Sequence, residues 1–145
     1  MPGSIIGLRC AALALAVAAT VLPSLASGRL PPVVMPDLTF ASFADCVAEL
    51  RTRHEEALRS VDPAPLPVEN GTLQHMLESA GVVEDSATTA HLDLRFNTQA
   101  KSPMPETRQY RFSNSYDERS LVCTGPVLSE QSVQGYTLDS FAPMP

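Results

Sequence analysis

The chain has 145 residues, with 10 basic and 16 acidic side chains, a formal charge of −6 and a mean hydropathy of +0.01. An acidic chain with no run of Lys or Arg lacks the cationic surface through which nucleic acids and anionic membranes are held, so both are excluded as partners. The length suits one domain able to bury a modest core.

Arg9 precedes an apolar run from Cys10 to Leu22, and Ser24-Leu25-Ala26 supplies the small residues a signal peptidase reads. The run falls short of the roughly 18 apolar residues that span a bilayer. Residues 1–26 therefore read as an export signal, with no stable membrane insertion once it is removed. Cleavage after Ala26 takes Arg9 away and shifts the formal charge from −6 to −7. The destination is the periplasm or the extracellular space. Cys46 and Cys123 are the cysteines that survive cleavage, and an even pair in an oxidising compartment is expected to form a disulfide.

Residues 27–38 hold Pro31, Pro32 and Pro36 and read as an extended linker ahead of a domain spanning residues 39–141. An amphipathic helix follows over Ser42 to Val61. Phe43, Cys46, Val47, Leu50, His54, Ala57, Leu58 and Val61 share an apolar arc, while Asp45, Glu49, Arg53 and Glu56 lie outside it. Ser42 is placed to cap the start, and Pro63 forbids continuation beyond about Asp62. The connector Asp62–Pro67 is proline-rich and stiff. A short second helix is expected from Asn70 or Thr72 to Ala80, with Leu73, Met76 and Leu77 inward, His75 outward and Gly81 as its C-terminal cap.

From Ala90 the apolar period becomes two. Leu92, Leu94 and Phe96 alternate with His91, Asp93, Arg95 and Asn97, the pattern of a strand with one wet face. Residues 98–107, with Pro103 and Pro105, read as an exposed loop. Residues 108–112 form a second strand, 114–118 a turn, 120–123 a third strand and 133–138 a fourth, with 142–145 a frayed tail. Leu121 and Cys123 share parity, so Cys123 faces the side on which the helix bearing Cys46 would lie. The expected architecture is α+β: the long helix and the short one packed on one face of a four-stranded antiparallel sheet, stapled by one disulfide.

The chemistry legible in this chain is sparse. His54 lies within the helix's apolar arc, where a core histidine satisfied by a carbonyl is the ordinary reading and a pocket base or ligand the sharper one. His54-Glu55-Glu56 lacks the second histidine of a helical zinc-protease motif, since position 58 is Leu, and neither Asp117-Glu118 nor Glu84-Asp85 has calcium-loop spacing. No nucleophile elbow or glycine-rich phosphate loop is present, so no catalytic residue, metal or cofactor is assigned. The candidate binding face is the wet side of the sheet, with His91, Asp93 and Arg95 from the first strand and Arg111 from the second. The sequence thus points to a small exported binding protein, an envelope accessory or inhibitor acting on an unidentified protein or a small polar ligand. The rival is a periplasmic enzyme or sensor with a helix–sheet pocket around His54.

Overall fold

The computed structural model describes residues 28–145. Two short strands, β1 (Val33–Val34) and β2 (Leu38–Thr39), precede a single helix, α1 (Phe43–Arg59). Six more strands follow: β3 (Leu66–Val68), β4 (Gly71–Glu78), β5 (Val82–Ser86), β6 (Thr89–Met104), β7 (Gln109–Thr124) and β8 (Val127–Pro143). All eight form one antiparallel sheet in the order β1-β8-β7-β6-β4-β3, with β2 also on the edge of β8 and β5 also on the edge of β6.

Ser42 starts α1 from extended backbone, φ −150° and ψ 167°, and its hydroxyl accepts the Asp45 amide at 3.1 Å. That bond satisfies one of the amides a helix start leaves orphaned. The helix stops at Arg59, where the Ser60 amide turns back to the Ala57 carbonyl at 3.1 Å. Its buried side chains Cys46, Val47, Leu50 and Ala57 pack on Ala90, Leu92 and Leu94 of β6, Leu121 and Cys123 of β7, and Leu128 of β8. Cys46 and Cys123 are joined with 6.1 Å between their Cα atoms, and both are fully buried. The helical and strand periodicities meet at this bond as the shared parity of Leu121 and Cys123 requires.

The molecule is mostly sheet, which corrects the expected α+β layout of two helices on four strands. The segment expected as a second helix is β4, paired residue by residue with β6 from Thr72↔Lys101 to Glu78↔Arg95. A helix of two or three turns is marginal on its own, and seven cross-strand pairs outweigh the local 3.6-residue spacing of Leu73, Met76 and Leu77. Residues 98–104 continue β6, and residues 114–118 lie mid-strand in β7 with partners on both sides. Pro103 fits there because β4 ends its pairing at Lys101 and leaves that edge of β6 free of a ladder. The reversal falls at residues 105–108, where Arg108 adopts a positive φ of 55°. β1 lies within the expected linker and β2 straddles its end, and both run along the edge of β8. The expected export signal, residues 1–26, and Ser27 lie outside the described residues.

Strand length positions the site. β6 and β7 have 16 residues each and α1 has 17, so the strands run about 53 Å at 3.3 Å per residue and the helix about 26 Å at 1.5 Å per residue. One helix covers about half of the face it packs on.

Candidate functional site

Along β6 and β7 the helix-side residues follow one register: Leu92↔Leu121, Leu94↔Arg119, Phe96↔Asp117 and Thr98↔Ser115. Moving along this series, the face passes from apolar core to charged and then to hydroxyl side chains. Beside the last turns of α1 a cavity of about 480 Å³ opens, with Arg53, Glu56 and Ser60 on the helix side and Leu94, Phe96, Asp117 and Arg119 on the strands. His75 of β4 and Glu130 of β8 flank it. Shallower hollows continue beyond it along the uncovered strands, lined by Ser115 and Tyr136 and sharing Thr98 with the cavity. We call this whole concavity the furrow.

Among the described residues every buried side-chain polar atom but one has a hydrogen-bond partner, and several of the furrow's charged groups are held in pairs. Arg53 donates from Nε to Glu49 at 2.7 Å, a bond that holds the guanidinium still more firmly in its charged form. Arg119 donates from Nε and a terminal nitrogen to Asp117 Oδ2 at 3.2 and 2.9 Å, with its guanidinium 5.2 Å from the centre of the Phe96 ring. Asp62, just after the helix, accepts the His75 backbone amide at 2.9 Å, and the same oxygen lies 2.7 Å from His75 Nδ1. The backbone bond first and the ring bond second hold the Asp62 carboxyl below its ordinary range. A carboxylate can only accept, so Nδ1 carries the proton and Nε2 is left as an acceptor when the ring is neutral. The exception is Asp117 Oδ1, which is buried and has no hydrogen-bond partner. Native structures leave few such atoms, and each one left needs a physical reason.

The outer face carries His91, Asp93 and Arg95, three of the residues singled out from sequence, and there the chain satisfies its own groups. His91 Nδ1 lies 2.7 Å from Asp85, a bond that raises the histidine's pKa; Asp93 accepts from Ser120 at 2.7 Å. Arg95 donates to Glu118 at 3.0 Å and stacks on Tyr116, while Asn97 donates to Glu78 at 2.8 Å. A hollow of about 430 Å³ lies beside them, walled by Arg29, Arg95, Glu118 and Val133, with Glu118 shared between the two arginines. The register places Arg111 opposite Ser102, on the helix-side face, apart from His91, Asp93 and Arg95. There it binds Asp139 at 2.6 Å, and a hydrogen bond from Ser113 first, with this one second, depresses the Asp139 pKa. His54 is half-buried, with Cε1 near the β4–β5 turn at Gly81, and it lines neither the cavity nor the outer hollow.

The sequence reading missed the furrow because it made residues 114–118 a turn. Read as strand, Asp117, Arg119, Leu121 and Cys123 fall on one face by parity alone, which would have placed a charged pair directly beyond the core. His75 was set on the outside of a helix that is in fact a strand. Among the described residues no cluster of three or more His, Cys, Asp or Glu side chains could hold a metal ion, and no helix is long and apolar enough to cross a membrane. No family model, curated protein or solved structure matches the chain.

Proposed function

We propose that the chain is an exported, disulfide-stapled binding protein that takes a small polar ligand into the furrow and releases it unchanged. The observation that carries this reading is the cavity of about 480 Å³, whose wall residue Asp117 holds a buried acceptor, Oδ1, without a donor. That volume lies within the range of small-molecule sites, and a ligand hydrogen bond to the orphan oxygen would offset its desolvation. Export is supported by the leader pattern in residues 1–26, and the Cys46–Cys123 bond is compatible with it. A catalytic reading would now rest on His75, which Asp62 orients at the furrow wall, in place of His54. Binding is favoured because no nucleophilic side chain is bonded to the free edge of that ring among the described residues.

The test is a thermal-shift screen of polar amino acids, sugars, amines and carboxylates on the oxidised protein. A ligand at 100 times its Kd adds about 2.7 kcal/mol to unfolding, which raises Tm by several degrees. The shift should vanish in Asp117→Leu, and NMR should recover the ligand unaltered. A screen with no shift in any class, or a ligand recovered chemically changed, would overturn the proposal.

A further inference from the structure

We infer that the ligand of the furrow is a small zwitterion, an amino acid or short peptide bearing both an ammonium and a carboxylate; this rests on reading the furrow as a ligand site. The spare hydrogen-bonding capacity around the cavity has both signs. A guanidinium has five N–H donors. Arg53 commits its Nε to Glu49, and Arg119 commits Nε and one terminal nitrogen to Asp117, so each fork has terminal N–H groups outside these bonds. On the acid side, Asp117 Oδ1 has no partner. Glu56 and Glu130 take part in no ion pair among the described residues.

A purely anionic ligand would satisfy the two guanidinium forks and bring its charge against three carboxylates. A purely cationic one would do the reverse. Either would set its own charge against the like charges of the furrow and leave them without a partner, and like charges held close repel. A ligand with one charge of each sign answers both sets. Between them the floor is apolar, formed by Leu94, Phe96 and Leu121, which gives an aliphatic side chain a surface to cover.

Isothermal titration of the oxidised, full-length chain tests this with five probes: L-leucine, leucyl-leucine, N-acetyl-leucine, leucinamide and glucose. N-acetyl-leucine lacks the ammonium and leucinamide lacks the carboxylate. At least one of the two zwitterions should bind, with each leucine analogue weaker by about 10- to 100-fold, the effect of losing a hydrogen bond to a charged group. Asp117→Asn and Glu130→Gln should each weaken the zwitterion about tenfold, whereas Glu78→Gln on the outer face should leave it unchanged; circular dichroism confirms that each variant is folded. Equal affinity for N-acetyl-leucine or leucinamide, or an equal loss in Glu78→Gln, overturns the inference. Binding of glucose without either zwitterion overturns it and leaves the furrow a ligand site. Silence from all five probes overturns the inference and leaves the ligand-site reading to the wider screen.

Discussion

Replacing both Cys46 and Cys123 by Ala tests whether the disulfide acts by restricting the unfolded chain. The bond spans 77 residues in sequence, and the chain-entropy model assigns a loop of that length about 4.5 kcal/mol at 25 °C. A domain of this size has about 5–15 kcal/mol of stability in total, so the variant would stay folded with a small margin. Both sulfurs sit where α1 meets the core, so loss of packing adds to the destabilisation in the same direction.

Equilibrium unfolding in urea, followed by circular dichroism and extrapolated to water, should show a loss of at least about 4.5 kcal/mol. The slope m should rise, because an unlinked denatured chain exposes more surface than a linked one. Amide exchange separates this from the competing account, in which the bond pins the helix to a sheet that is stable alone. On the entropic account the amides of α1, β6 and β7 lose protection together, in one cooperative unit. A loss below about 1 kcal/mol, or melting of α1 with the sheet's protection unchanged, would refute the reasoning.

Two further outcomes follow from local geometry. Gly71 sits at φ +141°, and a Cβ there would run into the carbonyl oxygen of Lys101, so Gly71→Ala should destabilise by about 2–4 kcal/mol in urea unfolding; Gly125→Asn, in open space at φ +56°, should change stability by less than about 1 kcal/mol. The Asp85 bond raises the His91 pKa above 6.5, so its stabilisation is fully present below the unfolded-state value and is lost as pH rises through the folded-state value. Urea midpoints should therefore fall as pH climbs from about 6 to 8, and Asp85→Asn should flatten that slope; an unchanged slope would detach the effect from this pair.

The helix was legible because its signals are local: a capping serine, an apolar arc and a stopping proline all lie within one stretch. Its observed span, Phe43–Arg59, falls inside the expected one. Strands 91–97 and 120–123 were legible for a similar reason, since a one-sided strand writes its parity into neighbouring residues. What could not be read was strand length. Residues 98–104 and 114–118 carry Ser102, Pro103, Asn114 and Ser115, which signal turns, and they remain strand because each segment meets a partner far away in sequence, as in Gln99↔Asn114 and Asn114↔Thr137. The same nonlocal pairing converted the Leu73–Leu77 stretch from a short helix into β4. Reading β7 as two pieces also lost the parity that puts Arg111 opposite Ser102, so the expected binding face combined residues from two sides of the sheet.

The mismatch between helix and strand lengths gives the furrow its physical origin. A sheet face longer than the helix covering it must end its apolar core somewhere along the strands. Here the change comes within two residue pairs, from Leu92↔Leu121 through Leu94↔Arg119 to Phe96↔Asp117, and beyond it Thr98 and Ser115 face water with hydroxyl groups. A protein using that face only for solubility could place paired charges at the boundary and leave none over. This one buries Asp117 Oδ1 there without a donor, while Ser120 and Asn97 satisfy the acids of the outer face. The same sheet therefore satisfies its acids on one side and leaves an acceptor unanswered on the other, and that asymmetry is the ground on which we propose the helix side for recognition.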